Sequence, residues 1–214
     1  PLQARVLTDF AAVTPMMALF QRLFGPYPFA GYTIVITADD LEIPLESQSL
    51  ATFGANHADG LGKSERLVAH ELAHQWFGNS VGLATWRDIW LNEGFACYAE
   101  WLWSENSGGP SADTMARQFR RQLVSLPTDL VLGDPGPEVM FDDRVYKRGA
   151  LTLHALRGVI GDDKFFALLR DWTSRYRHST VVTDDFTGLA AHYADNSLRP
   201  LWQAWLYSTA VPPL

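Results

Sequence analysis

VAHELAHQWFG, residues 68–78, carries two histidines four positions apart, with a glutamate directly after the first. On an α-helix, positions i and i+4 lie one above the other on a single face, about 6 Å apart along the axis. His70 and His74 can therefore both point at one ion, and zinc accepts neutral imidazole nitrogens. Glu71 is rotated by roughly 100° from His70. It need not ligate, and can instead take a proton from a water held at the ion. The plain alternative is a half-buried amphipathic helix that happens to carry two imidazoles. Composition predicts such a His-Glu-x-x-His match roughly 0.006 times in a chain of this make-up, so accident is a poor account of it. Two histidines still leave the site one ligand short, because catalytic zinc takes three protein ligands.

A third histidine six residues after the second, with a glycine between, would complete one type of helix-borne zinc site. Those positions are Ser80 and Phe77, so that pattern fails. Downstream, WRDIWLNEGFACYAEW (86–101) places Glu93 after a gap of eighteen residues from His74. A turn of about eight residues after Gly78 lets a second helix fold back beside the first. A carboxylate among Trp90, Leu91, Phe95 and Ala96 is costly to bury unless it is paired or bound to metal. Glu93 is accordingly the candidate third ligand, against the reading of a solvent-facing residue on that helix.

Around this centre the chain reads as an α+β fold, predominantly helical, with a small N-terminal sheet part (1–63) followed by a helical part (64–214). Thr14-Pro15 reads as an N-cap and first-turn proline of a helix stopped by Gly25. GYTIVITADD reads as a strand, with β-branched residues from Thr33 to Thr37. Pro44 demotes LEIPLESQSLATFG to an edge or irregular strand. Helices are expected from Ser64 to Phe77, from about Trp86 to Asn106, and from Ser111 or Asp113 to about Leu126. PTDLVLGDPGPEVMFD (127–142) is a loop. Further helices follow at about 143–160, 162–177, 184–194 and 198–207, with Asp162 and Thr183 as N-caps for two of them.

Composition bounds the function. In 214 residues, 47% are hydrophobic and 13% aromatic, enough for a substantial core. A net charge of −7 argues against a general nucleic-acid binder, which needs a surplus of Lys and Arg against phosphate. The single cysteine, Cys97, excludes an internal disulfide and a cysteine-rich metal knuckle. No apolar run reaches eighteen residues, so no membrane span is expected. No signal peptide is visible, but the sequence starts at Pro1 rather than Met and reads as a fragment, which leaves the compartment open.

With HELAHQWFGN (70–79) and WRDIWLNEGFA (86–96) in place, the chain resembles the aminopeptidase N family of gluzincin zinc peptidases. The resemblance runs over nearly the whole chain. FGPYPF (24–29) is similar to the segment entering that family's catalytic domain. VYKRGALTLHALR (145–157) is similar to its tyrosine helix, and WLYSTAVPPL (205–214) to the close of its thermolysin-like domain. The resemblance implies one zinc ion held by His70, His74 and Glu93, with Glu71 as general base. It implies that Tyr146 donates to the oxyanion of the tetrahedral intermediate. From the residues alone, Tyr146 reads as an amphipathic core tyrosine. The family's exopeptidase signature Gly-x-Met-Glu-Asn is here Ile43-Pro44-Leu45-Glu46-Ser47, which resembles a divergent branch. The retained Glu46 is implied to grip the free α-amine of a peptide substrate, against the reading of a solvated loop carboxylate. The family's N-terminal β-rich and C-terminal helical domains are not in this sequence, and additional domains are expected in the parent chain.

Two other functions stay open at this point. One is a zinc peptidase without a strict requirement for a free N-terminus. The other is a non-catalytic zinc-stabilised binding module, which would have no need of Glu71 or Tyr146. His57, His154, His178 and His192 have no motif partner and read as surface or satisfied core residues. Asp88 and Glu100 could accept from a ligand imidazole, but read as surface charges. Cys97 reads as a small buried residue, and the tryptophans near the two metal helices as core.

Overall fold

The computed structural model describes residues 2–214. It is mostly helical, as the sequence predicts, with two small sheets. Helices α1 (Leu2–Asp9) and α2 (Val13–Phe24) precede strand β1 (Thr33–Ile36) and a hairpin of β2 (Leu45–Ser47) and β3 (Leu50–Phe53). The first sheet has the order β1-β3-β2, with β1 parallel and β2 antiparallel to β3. β2 is an edge strand of three residues directly after Pro44, where a residue without an N–H does least harm. Glu46 lies on it, opposite Ala51.

Helix α3 (Glu65–Ala73) carries the histidine motif and is followed by β4 (Val81–Leu83). α4 (Trp90–Asn106) comes after a single 3-10 turn at Trp86–Asp88. Then come α5 (Ala112–Val124), α6 (Asp143–Ile160), α7 (Asp162–Arg175), β5 (Ser179–Val181), α8 (Thr183–Ala191) and α9 (Arg199–Leu206). The segment between α5 and α6 has no helix or strand, as its prolines dictate, yet Leu130 and Leu132 are buried in the core.

α4 is the centre of the molecule. Every residue from Glu93 to Leu102 is buried, the mark of a helix surrounded on all sides. α3 packs on one side and α6 on another. α4 and α6 cross in backbone contact at a glycine pair. A Cβ on Gly94 would stand 2.8 Å from the Gly149 Cα, and one on Gly149 would stand 2.6 Å from the Gly94 Cα. Phe77, Trp90, Phe95, Trp172 and Phe186 interlock beneath α4 in stacked and edge-to-face pairs.

Arg148, on α6, is almost fully buried without a carboxylate. Its guanidinium donates to the carbonyls of Trp205 (2.9 Å), Thr209 (2.8 Å) and Ala210 (3.1 Å), and to that of Ser208. It thereby fastens the end of α9 and the chain beyond it to α6. Desolvation pulls its pKa down to about 10.

Several boundaries differ from the sequence expectation. α3 ends at Ala73 rather than Phe77. Gln75 N–H and Trp76 N–H donate three residues back, to Leu72 and Ala73, so the last turn tightens and the chain swings away. α2 starts at Val13, one residue before the expected cap Thr14. Asp162 and Thr183 are the first residues of α7 and α8 rather than their caps, which are Gly161 and Val182. α1 and the parallel pair β4–β5 are not legible in the sequence, because each strand has three residues, too few to show alternation. Helix is therefore also present in the first 63 residues, and a small sheet in the remainder. Among the described residues no helix is long and apolar enough to cross a membrane.

Candidate active site

The turn after α3 brings α4 back alongside it, and Glu93 sits in the first turn of α4 rather than near its middle. His70 Nε2 is 3.2 Å and His74 Nε2 3.4 Å from the same oxygen of Glu93. One potential ligand atom from each of the three lies within 4.8 Å of the others, and all three residues are buried. The two imidazole rings stand 4.7 Å apart at 79°.

The other ring nitrogen of each histidine is occupied. His70 Nδ1 is 2.7 Å from a Glu100 oxygen, whose partner oxygen accepts from Arg66 at 2.9 Å. His74 Nδ1 is 3.0 Å from the Phe77 carbonyl. In the neutral form of each ring, Nδ1–H donates outward to these acceptors and Nε2 is left facing Glu93. That is the tautomer and orientation a zinc site requires. Two imidazoles, one carboxylate and their outer partners fit zinc by number and type of donor.

Glu100 corrects the expectation of a surface charge, since it is buried at 3% exposure. It lies seven residues beyond Glu93 on the same face of α4. That spacing was the available signal, but spacing alone does not distinguish a buried acceptor from a solvated acid. Asp88 is also buried. It accepts from Thr183 N–H (3.0 Å), Thr183 Oγ (2.7 Å) and Thr85 Oγ (2.7 Å), and so fastens the start of α8 rather than a histidine. Of the remaining histidines, His57 is a satisfied core residue, accepting from Gly54 N–H at 3.1 Å.

In the metal-free chain, burial opposes protonation of His70, but hydrogen bonds to Glu100 and Glu93 and their charges outweigh it and raise its pKa to about 10. His74 is likewise pulled down by burial and lifted by Glu93, to about 9. Burial pushes Glu93 up, but the two imidazoliums hold it well below the usual carboxylate range. Glu71 behaves in the opposite way. Burial raises it, the histidines only partly offset this, and its Oε2 has no hydrogen-bond partner. A buried, unpartnered carboxylate beside a donor cluster is a base in want of a proton.

Glu46, Glu71 and His74 also bring one donor atom each within 4.8 Å. Tyr146, from the first turns of α6, lies parallel to the His70 ring at 5.9 Å. Burial, then the charges of Glu93, Glu46 and Glu71, push its phenol up, so it is a neutral O–H donor. His70, Glu71, His74, Glu93, Tyr146 and Glu46 line one cavity of about 620 Å³. Exposed Trp86 and Phe141, in edge contact at 6.1 Å, stand on its rim.

The description of a peptidase family M1 domain matches residues 10–205. The human aminopeptidase RNPEPL1 is 29% identical over 228 aligned positions, covering 95% of this chain and 31% of that protein. Chicken aminopeptidase Ey is 30% identical, covering 86% of this chain and 21% of its own length. The crystal structure of the M1 zinc metallopeptidase of Deinococcus radiodurans superposes with a TM-score of 0.85 at 35% identity, covering 94% of this chain and 45% of that one. The chain thus spans about a fifth to a third of these curated relatives. Zinc is the metal of the Deinococcus enzyme, and a single zinc ion suits the donor set described above. On a match running from Phe10 to Trp205, the chain belongs to peptidase family M1.

Proposed function

We propose that this chain is the catalytic domain of a zinc-dependent aminopeptidase, removing the first residue from peptides with a free N-terminus. The observation that carries the reading is the placement of Glu71. It is buried with an unpartnered oxygen, and it brings a donor atom within 4.8 Å of one from His74, a member of the donor trio, and one from Glu46. When bound, zinc supplies a Lewis acid that polarises the scissile carbonyl and acidifies water.

The remaining roles belong to this chain. His70, His74 and Glu93 hold the ion, with Glu100 and the Phe77 carbonyl fixing the two rings. Glu71 takes the proton of the attacking water and passes it to the leaving amine. Tyr146 donates its O–H to the negative charge that develops on the former carbonyl oxygen. Glu46 pairs with the substrate ammonium, and so places the first peptide bond over the donor trio. The Deinococcus structure bound to a Tyr-Ser-Ala substrate supports peptides as the substrate class.

The test compares a short free-amine peptide with its N-acetylated twin, using zinc-loaded protein with Glu71→Gln as the blank. The expected outcome is cleavage of the free peptide only, lost by about 10²–10⁴-fold in the variant. Equal cleavage of both peptides would retain the hydrolytic reading and remove the aminopeptidase one. Bound zinc without turnover of either peptide in the full-length parent would instead support a binding module.

A further inference from the structure

Gln75 follows the second histidine directly and is fully buried. Its side chain is spent on the hairpin that carries Glu46. Nε2 donates to the Ser47 carbonyl at 3.0 Å, and Oε1 accepts the Ser49 N–H at 2.8 Å and the Tyr27 O–H at 3.3 Å. The two backbone bonds run in opposite senses, as in one rung of an antiparallel ladder. They take the place of a strand that β2 lacks on its outer side.

The hairpin needs such support. β2 is a three-residue edge strand joined to β3 by only Gln48 and Ser49. Ser49 sits at φ 66°, a left-handed conformation that non-glycine residues seldom adopt. The neighbouring Gln48 adds a second tie, donating to the Asn79 carbonyl at 2.8 Å. Gln75 does not itself line the cavity. It joins the residue after His74 to the residue after Glu46.

We infer that Gln75 is a positioning residue: it sets the distance between the amine anchor Glu46 and the His70–His74–Glu93 donors, and so restricts cleavage to the first peptide bond. The inference rests on the aminopeptidase reading above. A side chain that served only stability would, when lost, lower the melting temperature and weaken action on all peptides alike. A positioning side chain, when lost, weakens the grip on the free amine selectively.

The experiment uses the zinc-loaded full-length parent protein as wild type, with Gln75→Met, Gln75→Glu, Glu46→Gln and the double variant Gln75→Met/Glu46→Gln made in it. KM and kcat are measured on the free peptide and its N-acetylated twin, with zinc content and thermal midpoint recorded for each protein. Gln75→Met is expected to raise KM for the free peptide about tenfold, the worth of one buried hydrogen bond, at one zinc per chain. Its preference for the free over the acetylated peptide narrows by the same factor. Added to Glu46→Gln, it has no further effect on KM, because the anchor it positions is already gone. Gln75→Glu keeps an acceptor for Ser49 and, as the neutral acid that burial favours, retains one O–H to donate to Ser47. It shows a smaller loss of the same kind, and provides the test if the Met variant does not fold.

An unchanged KM and preference in the Gln75 variants overturns the inference. So does a loss of equal size in the Glu46→Gln background. Full-length wild-type protein that cleaves both peptides alike, or neither, defeats the aminopeptidase reading first and this inference with it, and that result is seen before any Gln75 variant is assayed.

Discussion

Glu100 donates nothing to a metal, yet it fixes which nitrogen of His70 faces Glu93. Replacing it with Gln exchanges a charged acceptor at 2.7 Å for a neutral one. Zinc affinity is expected to fall about 10–100-fold, measured by competition with a chromogenic chelator. The protons on the two histidines give a second test. In the metal-free chain their pKa values of about 10 and 9 leave both protonated at pH 7. Zinc must displace those protons, so affinity should rise with pH until it passes through about 9–10, and then level off. Calorimetry in buffers of differing ionisation enthalpy should detect proton release on binding at pH 7, and none at all would refute this protonation pattern. Tyr146→Phe should lower kcat about 10²–10³-fold with little change in KM. The six candidate site residues could be named at this scale from motif spacing and family resemblance, and the structure brings them to one cavity. Glu100 and Gln75 were not legible there, because what distinguishes them is what they touch after α3, α4 and β2 have been brought together.

At the scale of elements, the position of Tyr146 depends on how α6 begins. Asp142 caps that helix, accepting from Arg144 N–H at 2.9 Å, and also pairs with the Arg144 guanidinium at 2.9 Å. Asp142→Ala should cost about 1 kcal/mol in a denaturant titration. The bond to Arg144 holds the Asp142 carboxyl below its ordinary 3.8. Its contribution is therefore complete above about pH 4 and disappears as pH falls through the depressed value. The melting temperatures of wild type and the Ala variant should converge in acid. Element type was readable from the sequence for α2 to α9, because their apolar spacing is long enough to count. Element ends were less so. Asp162 and Thr183 each fell one residue inside their helices, and α3 lost its last turn to bonds made three residues back by Gln75 and Trp76, which no propensity encodes.

The whole molecule is organised around α4, which has no solvent face between Glu93 and Leu102. The return of α4 beside α3 was expected from the short turn between them, whereas the burial of α4 on all sides and its crossing with α6 were not. Periodicity could not have supplied that burial, because a helix apolar on every side shows no stripe. The crossing of Gly94 and Gly149 is the tightest point of the arrangement. Gly149→Ala should destabilise the fold by about 1–3 kcal/mol through overpacking, read as a lower urea midpoint with an unchanged slope. The same crossing constrains how the sequence can change over time. Elsewhere in a core, a residue that grows can be accommodated by a neighbour that shrinks. Here the neighbour is already a glycine, and nothing smaller exists. A methyl gained at either position has no second-site repair, so the two glycines are locked as a pair, and with them the separation between the helix that offers Glu93 and the helix that offers Tyr146.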